Sequence, residues 1–180
     1  MNRQFLRRFS AVIAGTILFV NANAQMSKSM VDPILSASKQ NDSSPARNKD
    51  NINNIKTNAI RDFSKSFKNA QNVSWFVIKD GFSVKFSEDG VATKSYYDEK
   101  GRWVGIIRTY SQNKLPEDIR KQVRSTYYDY SIYNVNEVTV GNIKAYLIGI
   151  ENDDNMKIVR IVDGEMDTYQ DLKKDHTPAS

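Results

Sequence analysis

The sequence predicts an α+β fold: two tandem units, each a helix followed by a four-stranded antiparallel meander, forming one sheet with both helices on one face. Three observations predict it. Apolar residues recur at spacings of three and four along 52–70 and again along 119–130, as in a helix that packs on one side. After each stretch the period falls to two, as in a half-buried strand. Turn residues then cut the apolar runs at regular intervals: Asp80-Gly81, Glu88-Asp89-Gly90, Asp98-Glu99-Lys100-Gly101, Gly141-Asn142, Asn152-Asp153-Asp154-Asn155 and Asp163-Gly164.

The N-terminus precedes this pattern. Arg3, Arg7 and Arg8 lie ahead of a ten-residue apolar run, Ala11–Val20, and Ala22-Asn23-Ala24 offers a small-x-small cleavage signal before Gln25. These are the three parts of a secretory signal peptide, residues 1–24, cut between Ala24 and Gln25. Ten apolar residues are too few to span roughly 30 Å of hydrocarbon as a helix. A periplasmic or secreted location follows, with no membrane attachment after cleavage. The chain contains no cysteine, so a lipid-modified N-terminus, disulfides, thiol nucleophiles and cysteine metal sites are all excluded.

Cleavage also changes the charge. The whole chain has 26 basic and 21 acidic residues, net +5. Loss of the three signal arginines leaves 23 against 21 in a mature chain of 156 residues. A nucleic-acid partner, which needs a clustered basic face, loses its main support. About 150 residues can bury roughly 68–70% of the extended-chain surface, enough for a core without disulfides.

Residues 25–51 are rich in Ser, Asn, Lys and Asp, with Pro33 and Pro45. Such a composition buries too little surface to offset ordering, and predicts a flexible polar leader with at most a short helix near Ile34-Leu35. The domain then runs over 52–170, its units about 52–112 and 113–170, with a polar tail at 171–180.

In the first unit, Ile52, Ile55, Ala59, Phe63, Phe67 and Ala70 form one stripe, opposite Lys56, Arg61, Asp62, Lys65 and Lys68. Asp80-Gly81 reads as a two-residue hairpin loop, pairing Lys79 with Phe82, Val77 with Val84 and Trp75 with Phe86. Trp75, Val77, Phe82, Val84 and Phe86 then meet the helix, while Phe76 and Ile78 face away. A two-residue Asp89-Gly90 loop pairs Phe82 with Tyr97, turning Tyr97 inward and Tyr96 outward. A four-residue third turn pairs Tyr96 with Trp103, also outward. A three-residue middle turn would instead flip every later side chain.

The second unit opens at Leu115-Pro116-Glu117-Asp118, with proline at the first helical position and acids in the first turn. Ile119, Val123, Tyr127 and Tyr130 form its stripe. Runs at 132–140, 143–150 and 156–162, and a short strand near 165–169, follow.

Several of these residues together resemble a family. Phe67 at a helix end, Val73-x-Trp75, Phe82-x-Val84-x-Phe86, Tyr97-Asp98-x-x-Gly101-x-Trp103, Leu115-Pro116, Tyr127-Tyr128, Ala145-Tyr146-Leu147 and Asp163-Gly164 resemble the PepSY-like, beta-lactamase-inhibitor-like domains exported by Gram-negative bacteria. The resemblance covers about residues 55–170 and is weaker in the second unit, which has no counterpart of Trp75. It implies tandem helix/four-strand units whose open sheet face grips a partner protein, and it carries over no catalytic residue.

Catalytic chemistry has little to work with. His176 is the one histidine and lies in the tail, so histidine-based nucleophilic or zinc chemistry has no placed base or ligand. Asp153-Asp154 and Glu88-Asp89 are adjacent acids, but in turns, where acids serve local hydrogen bonds. The 151–155 acids lack the spacing of a calcium loop. Glycines stand singly in turns, not in a phosphate loop. The expectation is therefore an exported non-enzyme without cofactor or metal, whose open sheet face holds a protein or peptide partner, with inhibition of a hydrolase as a candidate role. Phe76, Ile78, Lys85, Tyr96 and Trp103 are the candidate binding residues, because surplus outward aromatics favour interfaces. The alternative is a periplasmic small-molecule or ion-binding envelope protein, using a cleft between units or the acidic 151–155 turn.

Overall fold

The computed structural model describes residues 28–34 and 55–174. The signal segment, its Ala24/Gln25 junction, Ile52 and His176 lie outside the described residues. Residues 28–34 are helical and are termed the leader helix. The rest comprises α1 (Thr57–Ser66), β1 (Gln71–Ile78), β2 (Gly81–Glu88), β3 (Val91–Asp98), β4 (Trp103–Tyr110), a short 3-10 turn (Gln112–Lys114), α2 (Glu117–Thr126), β5 (Ser131–Val140), β6 (Ile143–Glu151), β7 (Asn155–Val162) and β8 (Glu165–Lys173). The strands form one open antiparallel sheet in the order of the sequence, β1 to β8.

This corrects the expectation of two tandem helix-plus-meander units with both helices on one face. The sheet is one continuous body. At its middle, β4 pairs with β5 over six positions, from Gly105↔Val140 to Tyr110↔Val135, and no seam separates the two sides. Three helical segments are present among the described residues, and they are not all on one face. α1 and α2 lie on what we call the near face. The leader helix lies on the opposite, far face, and so the far face is not open along its length. The leader departs from the expected flexible polar segment at residues 28–34, because Val31 and Ile34 find an apolar surface that local composition does not reveal.

The near face holds two apolar clusters. Ala59 and Phe63 of α1 pack on Phe82, Val84, Phe86, Tyr97 and Ile106, with Ile55 alongside. Rings interlock there: Phe63 lies 5.0 Å from Phe86 and 5.5 Å from Trp75, both edge-on. Val123 of α2 packs with Leu115 on Val135, Ile148, Ile150, Val159 and Ile161. Burying each such side chain is worth roughly 1.5–3 kcal/mol. Pro116 sits just outside α2 at its N-cap, one position earlier than expected, with Glu117 and Asp118 in the first turn.

Turns set the register. The first hairpin closes through Lys79 and Asp80, with Ile78↔Gly81, Val77↔Phe82 and Trp75↔Val84. It is displaced by one residue from the expected Asp80-Gly81 loop. Gly81 takes φ +144°, and a Cβ there would lie 2.1 Å from the Tyr97 carbonyl oxygen. The glycine thus serves close strand approach at the head of β2. Because the loop moved by one, every pair moved by two, and the facing of β1 and β2 is unchanged. The second turn is Asp89-Gly90, both at positive φ (50° and 71°), with Glu88↔Val91 and Phe82↔Tyr97.

Candidate functional site

The far face is built from rows of residues that the register aligns across the strands. One row runs Phe76, Ser83, Tyr96, Gly105, Val140. The next runs Ser74, Lys85, Lys94, Ile107, Val138, Ala145, Val162. A third runs Ser87, Ala92, Thr109, Asn136, Leu147, Arg160, Asp167. The face is therefore polar and basic toward β2 and β3, aliphatic in the middle, and charged at β7 and β8.

Four of the five candidate binding residues meet on this face. Phe76 and Ile78 come from β1, Lys85 from β2 and Tyr96 from β3. The Lys85 ammonium lies 5.2 Å from the Phe76 ring centre, and the Lys94 ammonium lies 5.2 Å from that of Tyr96. Tyr96 is buried, only 3% exposed, within the cluster that contains the leader. Trp103 is the exception. The ladder is irregular between Tyr96 and Tyr97, so Tyr96 pairs with Gly105 and Tyr97 with Trp103. That extra residue turns Trp103 to the near face, where its indole N–H donates to Ser95 Oγ at 3.1 Å. The outward facing expected for Trp103 is corrected by this irregularity.

Beside the leader the far face carries a depression of about 380 Å³, lined by Lys85, Lys94, Tyr96, Ile107, Thr109 and Asn136. Its floor is held by a hydrogen bond of 2.8 Å from Thr109 Oγ1 to the Asn136 side-chain oxygen. Ser83, fully buried, has no hydrogen-bond partner for its hydroxyl among the described residues.

The leader helix occupies the aliphatic middle. Val31 is fully buried and Ile34 is 5% exposed, packed with Tyr96, Ile107, Val138, Ala145, Leu147 and Val162. Gly105 makes room: a Cβ there would lie 2.3 Å from Ile34 Cδ1 and 2.7 Å from the Thr139 carbonyl oxygen. Charges clamp the other side. Arg160 Nη1 donates to Asp32 of the leader at 2.9 Å, while its Nε and Nη2 grip both oxygens of Asp167 at 3.1 and 2.8 Å. Lys28 of the leader lies 3.2 Å from Asp167 and 3.9 Å from Glu165. The Arg160 hydrogen bonds hold the Asp167 carboxyl below the usual carboxylate range, with Lys28 adding to the effect. Arg160 is raised in turn, first by Asp167, and its guanidinium stands 5.1 Å from the Tyr169 ring.

Sequence reasoning missed Gly105, Arg160, Asp167 and the seating of the leader on the sheet, allowing only a short helix near Ile34-Leu35. The available signal was Lys28-x-x-Val31-Asp32-x-Ile34, whose spacing places two aliphatic groups on one helical face. Two apolar residues are too few to stand out in a polar stretch.

The far face brings together aromatic, aliphatic, basic and carboxylate side chains. Among the described residues no group of three or more His, Asp or Glu side chains is arranged to hold a metal. The acidic 151–155 turn is held by its own backbone: Asn152 Oδ1 accepts from the Asp154 and Asn155 N–H groups at 3.2 and 2.9 Å. On the near face Tyr110 donates to Glu137 at 2.7 Å, and Lys144 pairs with the same carboxylate at 3.1 Å. Burial, then the Glu137 hydrogen bond, pushes the Tyr110 phenol up, so it stays protonated. No helix among the described residues is long and apolar enough to cross a membrane.

No family model matches the chain. No curated protein matches it by sequence. Solved structures do resemble it. A DUF2874 family protein from Bacteroides uniformis superposes with a TM-score of 0.56 at 13% identity, covering 68% of this chain and 92% of that one. A presumed periplasmic protein from Bacteroides eggerthii gives 0.55 at 14% identity, covering 66% and 88%. A BLIP-like protein from Bacteroides fragilis gives 0.56 at 14% identity, covering 66% and 86%. At such identities the likeness is one of fold alone. It does not extend to the PepSY-like part of the expected resemblance.

Proposed function

We propose that this chain is an exported, non-enzymatic binding module whose far sheet face holds a protein or peptide partner, with inhibition of a hydrolase as its effect. One observation carries the reading. The far face has an apolar middle row, flanked on one side by a lysine- and aromatic-lined depression and on the other by an arginine–carboxylate cluster. Recognition surfaces have this anatomy, an apolar centre with a polar rim. The likeness to a BLIP-like protein supports a protein partner. The N-terminal signal pattern and the likeness to a presumed periplasmic protein support a periplasmic or secreted location. Phe76, Ile78, Lys85 and Tyr96 are the binding residues in this reading, and Trp103 drops out of it.

Quantitative affinity capture from the cell envelope tests the proposal, comparing wild type with a Phe76→Ala/Lys85→Ala variant. The expected result is a protein retained by the first and lost by the second. Identical retention by both would remove the far face from the argument. Titration of any captured hydrolase with the purified chain then reads inhibition directly.

The alternative, a small-molecule binder, is favoured by the depression, since about 380 Å³ lies within the range of ligand sites. A thermal-shift screen with small carboxylates and apolar ligands tests it. Ligand well above its dissociation constant must raise the melting temperature, so a flat screen at millimolar concentration sinks this reading.

A further inference from the structure

The leader helix reveals what the far face recognises, because it is already seated there. Two aliphatic side chains three positions apart, Val31 and Ile34, enter the apolar row. An acid one residue after the first, Asp32, meets Arg160, and a base three residues before it, Lys28, meets Asp167 and Glu165. The contact is polar at both ends and apolar between, and Gly105 is shaped to it.

Seven helical residues do not hold together alone. Isolated helices shorter than about 12–15 residues are marginal in water, so the leader is helical because the face makes it so. Its hold is also modest. Among the described residues its main contacts are two apolar side chains and an ion cluster whose Asp32 and Asp167 side chains remain about a third to a half exposed (45% and 34%). Partly exposed pairs contribute little each.

We propose that the far face is a receptor for short amphipathic helices, and that residues 28–34 are its built-in ligand, which a partner helix must displace. The partner's recognition element is then about two helical turns long. It presents two aliphatic residues at i and i+3, an acid at i+1 for Arg160, and a base at i−3 for Asp167 and Glu165. This deepens the binding-module reading by naming the partner's chemistry and the step that controls access.

The test uses the chain without its signal, a synthetic peptide of residues 25–38, and fluorescence anisotropy. In a Val31→Asp/Ile34→Asp chain the tethered copy is undocked and the near-face clusters are untouched. Circular dichroism checks that it is folded. This chain is expected to bind the wild-type peptide saturably, and to bind a peptide bearing Val31→Asp at least tenfold more weakly. The wild-type chain is expected to bind the peptide at least tenfold more weakly than the undocked chain. A tethered competitor acts at millimolar effective concentration, which sets that difference. Adding Arg160→Met to the undocked chain is expected to weaken peptide binding further.

Failure of the folded, undocked chain to bind the peptide overturns the proposal. Equal binding by wild type and undocked chains also overturns it, because the face would then not be occupied. Should the double variant unfold, Asp32→Lys, which keeps both aliphatic contacts and repels Arg160, takes its place with the same criteria. If peptide binding behaves as stated while envelope capture is unaffected by undocking, the receptor stands and the proposed partner reading falls.

Discussion

The two faces of the sheet are built to different specifications. On the near face, two ten-residue helices cover the strands, and interlocked rings and branched aliphatics fill the space beneath. On the far face, the described covering is a helical segment of seven residues, held by two side chains and a charge cluster. The near face is where the fold acquires its stability. The far face has comparable apolar residues on its strands but, among the described residues, a much smaller cover. That difference is what the proposed displaceable leader would exploit.

Mutations on the two faces should separate these roles. The largest loss is expected from Phe63→Ala, which empties the ring cluster under α1. A cost of about 3–5 kcal/mol in urea unfolding is expected, as for other buried aromatics. Gly105→Ala is next. Its methyl would meet Ile34 and the Thr139 carbonyl oxygen together, and one of the two must yield. A loss of about 1–3 kcal/mol is expected, with faster amide exchange at 28–34 than at α1. Equal exchange at both would show that the leader is bound as firmly as the near-face helices.

Charge effects come third. Arg160→Met is expected to cost only about 1 kcal/mol, because its partners are partly exposed, yet it should loosen the leader. Acid should do the same. Asp167 has a depressed folded pKa, so its contribution is full above the unfolded value of about 3.9 and is lost as pH falls through the folded value. Leader protection measured by hydrogen exchange should therefore be flat from pH 7 to about 5 and fall below about 4, while α1 is unaffected over the same window. Smallest of all is Ser83→Ala. Removing a buried hydroxyl without a partner is expected to be neutral or to stabilise by under about 1 kcal/mol in thermal unfolding.

Much of the near face was legible in the sequence. The stripe from Ile55 to Phe67 and the alternation Phe82-x-Val84-x-Phe86 are strong periodic signals, and Asp89-Gly90 has the residues its turn type demands. The first hairpin was misplaced by one residue because Asp-Gly reads as a loop, whereas Gly81 is needed for contact with β3. That error was harmless to facing. The error at Trp103 was not, since a single extra residue after Tyr96 reversed it, and no local composition marks such an irregularity. The single sheet was legible, but its expected division into two units was not found, because repeated element order suggests units and says nothing of how both sides of the sheet are covered. The leader was least legible. Its helix depends on distant residues, from Tyr96 and Ile107 to Arg160, and propensity carries no trace of them.

That separation has a temporal side. Every strand pairs only with its neighbours in sequence, so the sheet can grow by local closures from either end, with little loop entropy at each step. The bond from Asp32 to Arg160 closes 128 positions at once. It cannot form until β7 has been laid against β6, and its companions on β8 come later still. In a chain read from its N-terminus, the first described segment is thus the last to find its place. A chain lacking β7 and β8 would keep the apolar contacts of Val31 and Ile34 with β3 to β6 but lose the Arg160, Glu165 and Asp167 clamp.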